Sequence, residues 1–233
     1  MTLFELILQV AGPVFFMSMQ VSYLSTSYKI YNRKQVGSLS PVPFLSLMTN
    51  SAVWTLYGSL KGDETIFVPN VTGLIAGFIC TVMYHQYSTL GISGHMYFIS
   101  TSIILFSVIC GLAGDKEIIG SFGVCLAVFL MGSPLSTLRT VINERSTASL
   151  PFLTSLTTFG NALSWSLYGL MIAHDPMVYV PNLLGLLLAI FQLILFVIFG
   201  FDKDALANDF SSKNDEATPI KNIIAYNPVR TSV

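Results

Sequence analysis

The side chains in this sequence that are best suited to binding a ligand occur in two matched sets. Asn50 and Trp54 lie in the segment NSAVWTLYG, and Asn161 and Trp165 lie in NALSWSLYG, which begins 111 residues later. An amide offers two hydrogen-bond donors and an acceptor. Because residues four positions apart share a face of a helix, each segment should present its amide beside its indole. This combination suits hydrogen bonding and packing against a neutral ligand.

A second pair of asparagines recurs in the same way. Asn70 ends the first VPN sequence and Asn182 ends the second, and a glycine follows each of them three positions later, at Gly73 and Gly185. A single asparagine in an apolar helix most often forms a hydrogen bond to a neighbouring helix. Two asparagines at equivalent positions of a repeat are better placed to face a common axis, so we interpret Asn70 and Asn182 as binding residues.

The composition excludes several classes of protein. Hydrophobic residues make up 53% of the chain and charged residues only 10%, with a mean hydropathy of +0.69, which indicates a membrane protein. The net charge of -1 gives no basic surface for nucleic acid. Cys80, Cys110 and Cys125 lack the spacing of a metal or disulfide motif, and neither a metal nor another cofactor is expected.

Uncharged runs predict seven membrane-spanning helices, since about 20 apolar residues cross a bilayer. The runs cover residues 6–28, 43–60, 66–84, 96–114, 118–138, 151–172 and 177–199. None of them contains Asp, Glu, Lys, Arg or His, so the spans hold neither a titrating group for proton coupling nor the base, nucleophile or ligands of an enzyme. No basic segment or cleavage site precedes the first run, so we expect that span to be retained.

Basic residues predict the orientation, because cytosolic loops carry the excess of Lys and Arg. The loops after the first and fifth spans contain Lys29, Arg33, Lys34, Arg139 and Arg145, against Lys61 and Lys116 on the other side. The N-terminus is therefore expected outside and the C-terminus in the cytosol. Residues 201–233 form a polar tail that we expect to be disordered.

The repeat decides the architecture. Spans 1 to 3 and 5 to 7 are matching triplets in the same orientation, so an odd linker helix must join them. The sequence predicts an all-α membrane protein of 3+1+3 arrangement: a first triple-helix bundle (1–91), a linker helix (92–116), a second bundle (117–200) and the tail (201–233). Parallel repeats of this kind, related by an axis along the membrane normal, occur among membrane transport proteins.

The motifs together resemble the SWEET family of sugar transporters over residues 6–200. The matching segments are PVPFLSLMTNSAVWTLYG, VPNVTG, SPLSTLRTVINERSTASLPFLTSLTTFGNALSWSLYG and VPNLLGLLLAIFQLILF. The resemblance implies that Asn70 and Asn182 bind sugar hydroxyls and that Trp54 and Trp165 line the sugar pocket. Asn50 and Asn161 share a face with these tryptophans and are candidates for either binding or packing.

The same resemblance implies roles for residues outside the pairs. Asn50 and Met131 would set the pocket width, and both are larger than serine, which favours monosaccharides over sucrose. Pro43, Pro134 and Pro151 match three family prolines that act as hinges, whereas Tyr23 stands where the fourth would be. Tyr57 and Asp175 match the pair that closes the outer mouth. A homotrimer in which each chain has its own pathway is also implied.

The mechanism expected is a facilitative, bidirectional uniporter that works by alternating access, in the plasma membrane rather than an intracellular one. A Pro-Gln-loop exporter of small solutes shares the architecture, but here Phe44, Leu135 and Phe152 follow the relevant prolines. A seven-helix receptor predicts no triplet repeat. A trafficking protein that does not transport remains the other alternative.

Overall fold

The computed structural model describes residues 2–201, which fold into helices without any strand. Met1 and residues 202–233, which include nearly all of the predicted tail, lie outside the described part. The helices are α1 (Leu3–Arg33), α2 (Val42–Lys61), α3 (Glu64–Tyr87), α4 (Gly94–Leu112), α5 (Lys116–Leu130), α6 (Gly132–Glu144), α7 (Phe152–Met171) and α8 (Pro176–Phe199).

The predicted fifth span is two helices, α5 and α6, that meet at Met131. Proline has no N–H, so Pro134 cannot donate to the carbonyl of Leu130, one turn earlier. At the same junction the Met131 N–H donates to the Val128 carbonyl, three residues earlier, at 3.1 Å. This shorter spacing tightens the turn. With α5 and α6 counted as one span, the described residues contain the seven helices that the sequence predicts.

Five of these helices are long and apolar enough to cross a membrane on length and composition alone. They are α1, α3, α4, the combined α5 and α6, and α8. The remaining two, α2 and α7, are 20 residues long and contain many Ser, Thr and Asn residues. Those polar side chains lower the hydropathy of the two helices that carry the tryptophans of the interior site described below.

Glycines allow the helices of each bundle to approach closely. A Cβ atom on Gly58 of α2 would lie 2.8 Å from the Phe67 backbone nitrogen of α3, and one on Gly169 of α7 would lie 2.8 Å from the Tyr179 nitrogen of α8. Such a separation is far below van der Waals contact. Each α2–α3 or α7–α8 crossing therefore requires glycine, and the two crossings occupy equivalent positions in the repeat.

The two bundles interlock through their first helices. Helix α1 packs against α3 of its own bundle and α7 of the other, while α5 packs against α8 of its own bundle and α2 of the other. The linker helix α4 rests on α2 and α5, where Phe106 meets Phe122 edge-on at 5.1 Å. Asp63, Asp115 and Asp175 lie at one end of this assembly, which we call the aspartate end. The opposite end, which carries Arg33 and Arg145, is the arginine end.

Helix α1 runs without a break through Tyr23, the position equivalent to Pro134. The Tyr23 ring packs edge-on against Phe44 at 6.2 Å, and its backbone carbonyl accepts a hydrogen bond from Cys80 Sγ at 3.4 Å. The first bundle thus fills with aromatic packing the region in which the second bundle has its helix junction.

We predict that Tyr23→Pro destabilises the protein by about 3 kcal/mol, the usual cost of proline inside a helix. Tyr23→Phe keeps both the ring and the backbone donor and is the matched control. Thermal unfolding of the purified protein in detergent checks this prediction. It is wrong if Tyr23→Pro melts at the temperature of Tyr23→Phe, since α1 would then tolerate a break as α5 and α6 do.

Candidate functional site

A cavity of about 260 Å³ lies between the two bundles. The structure brings all seven predicted binding residues to its wall: Asn50, Trp54, Asn70, Met131, Asn161, Trp165 and Asn182. No charged side chain is among the residues that line it within 2–201. The cavity can therefore satisfy hydroxyl groups and apolar faces but offers no counter-ion to a charged ligand.

Asn70 and Asn182 are held in the same way. Each amide Nδ2 donates to the carbonyl four residues earlier, Ile66 at 2.8 Å and Val178 at 2.7 Å. These bonds fix the orientation of the amides and use one N–H of each. Neither amide makes another side-chain hydrogen bond within the described residues, so each keeps an oxygen and an N–H for a ligand.

Asn50 and Asn161 have buried side-chain oxygens without a hydrogen-bond partner in the described part of the chain. The other buried unpaired side-chain atoms there are hydroxyl oxygens, so these are the two unpaired amides. Leaving a buried acceptor unpaired costs about 1–3 kcal/mol. A donor from a ligand or a water molecule would recover that energy at both equivalent positions.

The indoles of Trp54 and Trp165 are each packed against a glycine of the opposite bundle. A Cβ on Gly12 would lie 3.0 Å from Trp165 Cε2, and one on Gly123 would lie 3.3 Å from Trp54 Cζ2. Gly12 and Gly123 are themselves 111 residues apart. Sequence reasoning missed this pair, although the repeat offset contains the signal that would have found it.

Gly12→Val should displace Trp165 from the cavity wall, because the added side chain has no room beside the indole. In a Trp54→Phe background Trp165 is the only indole, so a shift of the emission maximum and stronger quenching by a soluble quencher report the displacement. Gly94→Val is the control, since nothing lies within 4 Å of a Cβ at Gly94. Equal emission from the Gly12→Val and Gly94→Val proteins would contradict the packing described.

The predicted gate residues meet at the aspartate end. Tyr57 Oη donates to Asp175 Oδ2 at 2.7 Å, and Lys61 Nζ lies 2.9 Å from the same oxygen. A second, crossed pair was missed by sequence reasoning: Tyr168 Oη donates to Asp63 Oδ2 at 2.7 Å. Tyr168 and Asp63 are the repeat equivalents of Tyr57 and Asp175, so both tyrosines bridge to the other bundle.

Each of these aspartates also caps a helix with its other oxygen. Asp63 Oδ1 accepts from the Ile66 N–H at 3.1 Å and Asp175 Oδ1 from the Met177 N–H at 3.0 Å. Burial of Asp175 by itself raises the pKa of its carboxyl. The hydrogen bonds from Tyr57, Lys61 and the Met177 N–H outweigh burial and hold that pKa below its usual value.

The tyrosines connect these hydrogen bonds at the aspartate end to the cavity. Trp54 and Tyr57 meet edge-on at 5.5 Å, and Trp165 and Tyr168 do so at 5.7 Å. Each tyrosine thus contacts an indole of its own bundle and an aspartate of the other. Movement of the bundles that breaks the tyrosine–aspartate bonds would act directly on both indoles.

The remaining predicted positions differ in their relation to the cavity. Pro134 lines it, whereas Pro43 and Pro151, at the starts of α2 and α7, do not. The cavity extends along α8 past Asn182 to Gln192, a buried side chain that sequence reasoning did not select. Ten residues of helix span about 15 Å, so the cavity reaches toward the arginine end.

Comparison with known proteins gives consistent results. A family model described as "Sugar efflux transporter for intercellular exchange" matches residues 6–90 and again residues 117–204. The chain is 30% identical to the rat (Rattus norvegicus) sugar transporter SWEET1 over 204 residues, which are 83% of this chain and 90% of the relative. It is 26% identical to the bidirectional sugar transporter SWEET5 of Arabidopsis thaliana, over 83% of this chain and 85% of that one.

Among solved structures, a eukaryotic SWEET transporter determined at 3.7 Å resolution matches with a TM-score of 0.70. The two share 23% sequence identity, and the match covers 84% of this chain and 96% of the other. This likeness confirms the predicted fold of two parallel three-helix repeats with a linker helix. The relatives are named as transporters, which also confirms the expectation that the chain is not an enzyme. The family model and the relatives together show that this chain belongs to the SWEET family of membrane sugar transporters.

Proposed function

We propose that this protein is a facilitative, bidirectional uniporter for a neutral monosaccharide such as glucose. The observation that carries the proposal is the cavity wall, in which four asparagines and two tryptophans occur as repeat-related pairs without a charged neighbour. Asparagine oxygens accept from sugar hydroxyls, and indole faces pack against the C–H faces of a pyranose ring.

The absence of charge from the lining favours uniport over coupled transport. A proton-coupled carrier needs a group that titrates inside the membrane, and the lining residues within 2–201 contain none. Asp175 is a candidate for such a titrating group. Its carboxylate, however, already accepts a hydrogen bond from Tyr57, forms an ion pair with Lys61 and caps α8. We therefore infer that the sugar gradient alone drives net movement.

The dimensions of the cavity favour a small substrate. Its volume of about 260 Å³ lies just below the range of roughly 300–1,000 Å³ that is common for ligand pockets. Met131 narrows it on one side, where its methyl carbon would lie 3.6 Å from a Cβ at Gly185. We infer that monosaccharides fit better than disaccharides.

The contacts that close one end support a mechanism of alternating access. The two tyrosine–aspartate pairs bridge the bundles at the aspartate end, while the cavity extends toward the arginine end along α8. If the aspartate end faces the outside, as the charge distribution predicts, this conformation is closed to the outside. We propose the plasma membrane as the location and rocking of the two bundles as the movement, and the homotrimer stays a prediction.

Uptake of radiolabelled glucose, fructose and sucrose into cells that lack their own sugar transporters tests the proposal. We expect a hexose to enter and sucrose to be excluded, with little difference between external pH 5.5 and 7.5. The Asp175 carboxylate, whose pKa is lowered, stays ionised across that window, so its contacts persist. A strong rise of uptake at pH 5.5 would contradict uniport, and indifference to all sugars at normal surface expression would contradict sugar transport.

A further inference from the structure

A groove separate from the central cavity opens on the outside of the second bundle, between α6 and α8. Its volume is about 540 Å³. Its walls are apolar: Leu135 and Ile142 belong to α6, and Leu187 and Phe191 belong to α8. All four side chains are exposed, so in a membrane they face the hydrocarbon. Arg139 and Asn143 of α6 supply the polar part of the groove.

The groove exists because the two bundles are not packed alike. In the first bundle, Gln20 of α1 donates to the Pro69 carbonyl of α3 at 2.9 Å, and Cys80 of α3 donates to the Tyr23 carbonyl of α1. Within residues 2–201, no side-chain hydrogen bond joins α6 to α8. A new helix, α6, begins at the junction at Met131, and it packs less extensively on α8 than α1 packs on α3.

Arg139 is exposed and makes neither an ion pair nor a hydrogen bond to any residue of the described chain. It lies five residues before the end of α6 at Glu144, which is about 8 Å along the helix. The Arg139 side chain borders the apolar groove. From this position near the end of a spanning helix, a long basic side chain can extend its charge to the headgroup region. Asn143 follows four positions later on the same helix face.

These features are complementary to one class of molecule. A guanidinium matches a phosphate with two parallel hydrogen bonds, and an amide can add a third. The apolar walls that run away from Arg139 match an acyl chain. Basic pockets between helices on the cytosolic side of membranes, where anionic lipids are enriched, bind lipid headgroups.

We propose that this groove is a binding site for an anionic phospholipid, with the phosphate on Arg139 and Asn143 and an acyl chain along Leu187 and Phe191. The lipid would fill the gap between α6 and α8. Leu188 lines both the groove and the central cavity, so the bound chain would support the wall of the cavity from behind.

Native mass spectrometry of the full chain, released from detergent after titration with dioleoylphosphatidylglycerol or dioleoylphosphatidylcholine, tests the proposal. We expect one tightly held phosphatidylglycerol, with at least tenfold preference over phosphatidylcholine. Arg139→Gln should remove the preference, and Arg139→Lys, which keeps the charge but loses the forked geometry, should retain part of it. Arg33→Gln removes an exposed charge at the same end and should change nothing.

A variant of the apolar wall completes the design. Leu187→Trp fills the groove and should weaken binding of both lipids. Gel filtration and circular dichroism establish that each variant is folded. If Arg139→Gln does not fold, Arg139→Lys still tests the role of the guanidinium. The measurement contains no sugar, so its outcome is independent of the transport activity.

Four results would overturn the proposal. The first is a preference for phosphatidylglycerol that persists in both Arg139 variants. The second is an equal loss of the preference in Arg33→Gln, which would indicate diffuse surface charge. The third is displacement of the bound lipid by soluble glycerol phosphate at the same concentration as by phosphatidylglycerol, which would indicate a headgroup site without a place for the acyl chain. The fourth is a Leu187→Trp protein that binds lipid as before but no longer forms an oligomer, which would make the groove an interface between copies of the chain.

Discussion

Sugar uptake is expected to be lost when Asn182 is replaced by alanine. The Asn182 amide is held by its bond to the Val178 carbonyl and presents its remaining groups to the cavity. Alanine removes both the donor and the acceptor from the wall while keeping good helix propensity. Each lost hydrogen bond to the sugar weakens binding by about 0.5–1.5 kcal/mol, and a bound hydroxyl left unpaired in the dry cavity costs about 1–3 kcal/mol more. We expect at least a 100-fold fall in uptake.

The control for this prediction is Asn32→Ala, an asparagine on the exposed end of α1. Asn70→Ala should behave like Asn182→Ala because the repeat places both amides in the same environment. Surface expression and gel filtration must be unchanged in all three variants. Uptake by Asn182→Ala at half the wild-type rate or more would remove this residue from the binding site.

The second large effect on uptake is expected from the crossed tyrosine–aspartate pairs at the aspartate end. Asp175→Asn keeps the ability to cap α8, since Asn and Asp are comparable as N-caps. The substitution removes the charge that Lys61 and the Tyr57 hydroxyl require. A hydrogen bond to a charged group contributes about 1.5–3 kcal/mol, so the equilibrium should shift toward a state that is open at the aspartate end by roughly 10- to 100-fold. We expect uptake to fall at least tenfold, because the proposed alternating access requires a state that is closed at the aspartate end.

Asp63 and Asp115 give matched comparisons. Asp63→Asn removes the charge that Tyr168 contacts. It should reduce uptake less than Asp175→Asn, because among the described carboxylates of this end only Asp175 also forms an ion pair with Lys61. Asp115 caps α5 through a bond from the Ile118 N–H at 3.0 Å and, within residues 2–201, makes no hydrogen bond or ion pair across the bundles. Asp115→Asn should therefore be silent. Equal losses in all three variants would contradict the prediction, because loss of any carboxylate charge at this end, and not loss of a bond across the bundles, would then be sufficient to reduce transport.

The sequence was sufficient to predict the fold because the recurrence of Asn, Trp and Pro-Asn motifs is independent of any three-dimensional detail. Equivalent residues of a parallel repeat are related by one axis, so Asn70 and Asn182 were expected to face that axis. The structure places them on one cavity, together with Asn50 and Asn161. Their role in binding sugar stays a prediction until uptake is measured.

Other features were not accessible from the pattern. Contacts such as Gly12 with Trp165 and Asp63 with Tyr168 join residues that are not equivalent to each other, and they depend on how one bundle is placed against the next. The junction at Met131 depends on the helix end that Pro134 creates. The groove at Arg139 lies on the helix that begins at this junction, and a sequence without coordinates shows only an arginine near the end of a span.

The interlocking of α1 with α7 has a consequence for how the protein is made. Gly12 leaves the ribosome long before Trp165, the residue against which it packs. Until α7 has entered the bilayer, the face of α1 around Gly12 can meet only lipid or a membrane chaperone. The first three helices can therefore insert and pack on one another early, but the final packing of the whole chain should wait for its last two spans. Truncated chains that end before α7 should be the ones that quality-control proteases recognise.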